Sequence, residues 1–113
     1  MKNLPLIIIL AIFPTLSFAK APDCHNWPMN ITKGWLKNAK ITDIYNLDES
    51  RTKITLLASE KKKKDLYTQI YHFVFFNKQG NTYEVITQNE ASHEECSMSS
   101  VNSYLISNSR ILY

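Results

Sequence analysis

Asp65-Leu-Tyr-Thr-Gln-Ile-Tyr-His-Phe-Val-Phe-Phe76, Asn77-Lys-Gln-Gly-Asn81 and Thr82-Tyr-Glu-Val-Ile-Thr-Gln-Asn89 follow one another without interruption. Two runs rich in aromatic and β-branched residues flank a polar segment that contains Gly80, the pattern of a β-hairpin closed by a short glycine-assisted loop. In the first run Leu66, Thr68, Ile70, His72, Val74 and Phe76 share one face, and Tyr67, Gln69, Tyr71, Phe73 and Phe75 share the other, because side chains alternate with period two. Neither face is polar throughout, so the run reads as a central strand with a helix or a second layer on one side. The stripe of Tyr67, Tyr71, Phe73 and Phe75 has two readings. It is either a packed core face or an aromatic docking surface on which Tyr67 and Tyr71 touch a partner.

Outward from the hairpin, Thr52 to Ser59 and Lys40 to Leu47 read as strands, with the turn-rich Asn46 to Arg51 between them. Val101 to Ser107 reads as a last strand. Ser92 stands three residues before Glu95, the spacing of a capping box, but no apolar periodicity follows, so at most one helical turn is expected there. Ile31 to Leu36 is either a short helix or a first strand. Lys20 to Asn30, interrupted by Pro22 and Pro28, reads as an extended lead-in. The sum is a mainly β chain, with α+β the alternative: a small antiparallel sheet or open barrel of about five strands.

At the N-terminus a single basic residue, Lys2, precedes an apolar run and then Ser17-Phe18-Ala19, a small-x-small cleavage site. Residues 1–19 are therefore expected to be a secretory signal peptide, too short to span a bilayer. Cleavage leaves Lys20 to Tyr113 as a single small exported domain, periplasmic or secreted. No later stretch is apolar enough for a membrane span. Asn30-Ile31-Thr32 is a glycosylation sequon, meaningful in a eukaryotic source.

A domain of this size buries roughly 60 to 65% of the surface that its unfolded chain exposes, which makes it marginal without help. Cys24 and Cys96 are the only two cysteines in the chain, and in an oxidising compartment they are expected to form a disulfide. Neither belongs to a Cys-x-x-Cys pair, so no zinc signature is present.

Candidate chemistry is sparse. His93-Glu94-Glu95-Cys96 is the densest group of ligands and proton carriers. An enzyme or a metal site would have to gather His93 and Glu95 with His25. A Cys-His hydrolase would need Cys96 unbridged, and no nucleophile-elbow pattern supports Ser-His-Asp chemistry. The expectation is no catalytic residue, no metal and no cofactor. Lys61, Lys62, Lys63 and Lys64 are either an anion-binding patch or a solvated hairpin tip that discourages edge pairing. No arginine or aromatic residue is interleaved with them, so nucleic acid is not an expected partner.

Three functional classes follow. The first is a small exported binding protein that blocks another protein, such as an inhibitor or immunity protein against an extracytoplasmic enzyme or toxin. Its partner-binding residues would be Tyr67, Tyr71, Glu90, His93, Glu94 and Glu95, with the acidic residues facing a basic cleft. In plan this resembles single-disulfide periplasmic inhibitor and immunity proteins, a likeness of architecture without matched motifs. The others are an anionic-surface or small-ligand module and, behind both, a small hydrolase. The chain is expected to be a monomer or a weak dimer, because so short a sheet leaves an edge open.

Overall fold

The computed structural model describes residues 21–109, so the expected signal peptide and its cleavage site lie outside the described residues. Among the described residues one helix, α1 (Asn26–Asn38), precedes four strands, β1 (Lys53–Lys63), β2 (Leu66–Phe76), β3 (Thr82–Ala91) and β4 (Asn102–Ser109). They form a four-stranded antiparallel meander in the order β1-β2-β3-β4. The helix lies on one face of it. The chain is thus mainly β and antiparallel with one disulfide, as its sequence reads, with four strands among the described residues rather than about five.

The missing strand is Lys40 to Leu47. Lys40 takes a left-handed conformation with φ of 60° and ends α1. Its N–H donates to Lys37 O (3.0 Å), and the N–H of Ile41 reaches back to Leu36 O (2.9 Å), the two bonds of a Schellman cap. Ile41, whose alternation with Asp43 and Tyr45 suggested a strand, packs on the core as the apolar contact of that cap. Asp43 accepts the N–H of Tyr45 (3.0 Å), which bends the chain into a single 3-10 turn, Ile44–Asn46. Leu47 then bridges to Asn77 and closes that end of the core.

The lead-in is helical from Asn26, not extended to Asn30. Pro28 sits in the first turn, where its missing N–H has no intrahelical acceptor to lose. Pro28, Thr32 and Leu36, four residues apart, form the buried stripe of α1. Asn30, the sequon asparagine, is exposed.

The hairpin folds as its sequence reads. The polar loop closes β2 against β3 through Asn77, whose side-chain oxygen accepts the N–H groups of Gln79 (3.0 Å) and Asn81 (2.9 Å). Gly80 supplies the positive φ of 90° that the loop requires. The register pairs Phe73 with Val85 and Tyr71 with Thr87, so the odd residues of both strands face the helix.

The helix-side core changes character along the strands. Towards the hairpin loop it is apolar, with Phe73, Phe75, Val85, Tyr83 and Leu47 buried. Phe73 stacks between Tyr71 and Phe75, ring centres 5.7 and 5.8 Å away. Towards the opposite end it turns polar, with Gln69, Thr87, Asn89 and Ser92 buried. Among these, Gln69 Oε1, Thr87 Oγ1 and Asn89 Oδ1 meet no hydrogen-bond partner, which costs stability at each atom. The Cys24–Cys96 disulfide, with sulfurs 2.06 Å apart, closes the core at this polar end. The other sheet face carries no layer among the described residues; Ile70, His72, Val74, Phe76 and Ile86 lie half-buried on it. His72 meets Glu84 of the neighbouring strand β3 at 3.0 Å.

Candidate functional site

The register that pairs Tyr67 with Ala91 brings the end of β3 beside the start of β2. The chain leaving β3 therefore turns over Tyr67 and over the β1–β2 turn at Lys64 and Asp65. Asp65 has φ of 48°, a conformation that Asp and Asn tolerate better than most residues.

Residues 92–96 form a knuckle held from several sides. Ser92 N–H donates to Glu95 O (2.8 Å), and Ser92 Oγ accepts the Glu95 N–H (2.9 Å). The spacing of a capping box here closes a local turn instead of starting a helix. Asp65 Oδ1 accepts both the backbone N–H of His93 (3.0 Å) and its ring Nδ1–H (2.5 Å). The Tyr67 ring stands edge-on to the His93 ring at 5.5 Å. From below, Asn89 Nδ2 donates to Cys96 O (3.4 Å), and the disulfide anchors Cys96 to the buried Cys24. Glu94 and Glu95 are left exposed on this frame.

The structure thus gathers Tyr67, His93, Glu94 and Glu95 and separates two other expected residues from them. Tyr71 is 3% exposed, and its hydroxyl accepts the Cys24 N–H (3.3 Å). The core reading of the aromatic stripe holds for Tyr71, and burial raises its phenol pKa. Glu90 lies on the opposite sheet face, beside Glu60, Lys62 and Gln88 in a shallow groove of about 350 Å³. Asp65, absent from the expected set, ties the knuckle to the β1–β2 turn. Its signal was an acid in a tight turn, but its partner is 28 residues away.

Lys61 to Lys63 lie within β1, on the sheet edge, and Lys64 in the turn, all exposed. The run is therefore mostly strand rather than hairpin tip. Lys62 reaches Glu60 at 3.8 Å, and Lys61 adds to the field at Asp65, so acids and lysines are interleaved at this end. His25, the third ligand a metal site would have required, pairs with Asp23 at 2.7 Å. Among the described residues no three of His, Cys, Asp and Glu cluster as a metal site would require. No family model, curated protein or solved structure matches this chain.

The Asp65–His93 pair has a pH signature. The His93 ring, then its backbone N–H, hold the Asp65 carboxyl below the usual carboxylate range. A carboxylate depressed on folding contributes stability above its unfolded pKa of about 4 and loses it as pH falls through the folded value. The Asp65 side-chain carboxyl carbon is therefore expected to titrate with a midpoint below about pH 4. A midpoint at or above that value in an NMR titration would show that the pair does not form in solution.

Proposed function

We propose that this chain is an exported, non-catalytic binding protein that engages another protein through the 92–96 knuckle, in the manner of an inhibitor or immunity protein. The observation that supports the reading most is the bracing of the knuckle: two exposed carboxylates stand on a loop whose backbone is fixed by a disulfide, by Ser92 and by Asp65. A loop ordered before binding loses little conformational entropy on association, and this favours tight engagement by a small surface. Glu94 and Glu95 suit a basic or donor-lined cleft, with Tyr67 as the adjacent aromatic contact. Export is supported by the leader-like residues 1–19 and by the disulfide, which persists in oxidising compartments. No helix among the described residues is long and apolar enough to cross a membrane.

The test uses the oxidised protein and its Glu94→Lys/Glu95→Lys variant as baits for the extracytoplasmic fraction of source and neighbouring strains. The wild type is expected to retain one stoichiometric protein, and the variant to bind it about ten- to a hundredfold more weakly, with both affinities salt-dependent. Identical capture by the two baits would remove the knuckle from the interface.

A further inference from the structure

The two edges of the sheet are built differently. β1 carries Lys53, Glu60, Lys61, Lys62 and Lys63 and shifts register around Leu57 and around Lys62. Charges along an edge strand keep it from pairing with another chain. β4 reads Asn-Ser-Tyr-Leu-Ile-Ser-Asn-Ser, without charge or proline, and has one irregularity, at Ile106. Beyond it no further strand lies among the described residues. Tyr104 and Ile106 remain 53% and 56% exposed. Alongside, Ile31 and Trp35, one turn apart on α1, line a groove of about 290 Å³ with Val101 and Tyr104.

We propose that β4 pairs antiparallel with β4 of a second copy, joining two four-stranded sheets across a two-fold axis. Residues opposite each other in an antiparallel ladder point their N–H and C=O groups alike with respect to the partner strand. A strand paired with its own copy therefore places one of its residues on the axis. With Leu105 there, the Tyr104-Leu105-Ile106 segments of the two copies meet, and each exposed aromatic and β-branched side chain is covered by the other copy. The neutral strand brings no like charges together across the axis, whereas self-pairing of β1 would oppose its lysines. With Leu105 on the axis residues 102–108 of the two copies pair, and seven residues at about 3.4 Å each, with side chains reaching about 5 Å to either side of the sheet, cover roughly 240 Å² per copy. That is below the roughly 800 Å² per partner of a standard interface, so the dimer is weak and forms at micromolar or higher concentration.

Sedimentation velocity of the purified oxidised protein from about 5 µM to about 500 µM is the test, a range that brackets a weak interface. The wild type is expected to shift from monomer to dimer across it. Ile106→Lys, which gives this edge the charge that β1 already has, is expected to weaken association at least tenfold. Tyr104→Lys should do the same, while Leu57→Lys on the other edge leaves it intact. Both β4 sites are exposed, so the melting curve of the dilute protein should be unchanged. A wild type that stays monomeric, a dimer that survives both β4 variants, or one abolished by Leu57→Lys alone would overturn the proposal.

Discussion

Replacing both Cys24 and Cys96 with alanine is expected to lower stability by about 4 kcal/mol and the melting temperature by roughly 15 to 30 °C. The bridge spans 72 residues, and closing a loop of that length restricts the unfolded chain by about this amount in the chain-entropy account. Its position adds a second reason for a large effect. The disulfide closes the end of the core where Gln69, Thr87 and Asn89 are buried, each with one atom unpartnered, so apolar burial contributes least there. Cys24 also donates its N–H to the Tyr71 hydroxyl, and loss of the bridge frees the segment that carries this bond. Thermal melts followed by circular dichroism check it. Oxidised wild type should melt well above the variant, and reduced wild type should coincide with the variant. Equal melting of the oxidised wild type and the variant would show that the bridge contributes nothing.

Phe73→Ala is expected to cost about 3 to 5 kcal/mol, enough to leave a domain of this size largely unfolded or loosely packed, since the net stability of such domains starts near 5 kcal/mol. Phe73 is fully buried on the helix side of the sheet and stacks with both Tyr71 and Phe75, so the truncation removes ring contacts as well as buried area. Phe76→Ala is the matched control. Phe76 lies on the uncovered face beneath the Arg51 guanidinium, 4.4 Å from its ring centre. Its loss should cost about 1 to 2 kcal/mol, because the ring is only half-buried. Urea denaturation of the three proteins decides between one core and two. Equal losses at Phe73 and Phe76 would mean that both sheet faces are packed in solution.

Much of the candidate site was legible because it is local. His93, Glu94 and Glu95 are consecutive, and Ser92 with Glu95 closes its turn through bonds only three residues long. The contributions of Tyr67 and Asp65 depend on strand register, which sets the end of β3 beside the start of β2. Tyr71 was the ambiguous member. Its two readings predict the same sequence pattern, and only the position of α1 separates them, since the helix and its lead-in cover that face. The strand expected at Lys40 to Leu47 failed for a related reason. Alternating apolar residues over so short a span are also what a helix cap followed by a 3-10 turn presents, once Ile41 turns back onto the core.

By itself the sequence determined the hairpin, read over Asp65 to Asn89, its glycine loop, its two faces and the pairing of the two cysteines. Those depend on side-chain alternation, on turn chemistry and on the count of cysteines, all of which are short-range or combinatorial. The tertiary structure decided which face became the core, that the lysine run lies along an edge strand, and that the knuckle is tied down by Asp65. Each of these depends on where α1 packs and on how β2 and β3 are aligned, contacts between residues far apart in the chain that no local pattern encodes.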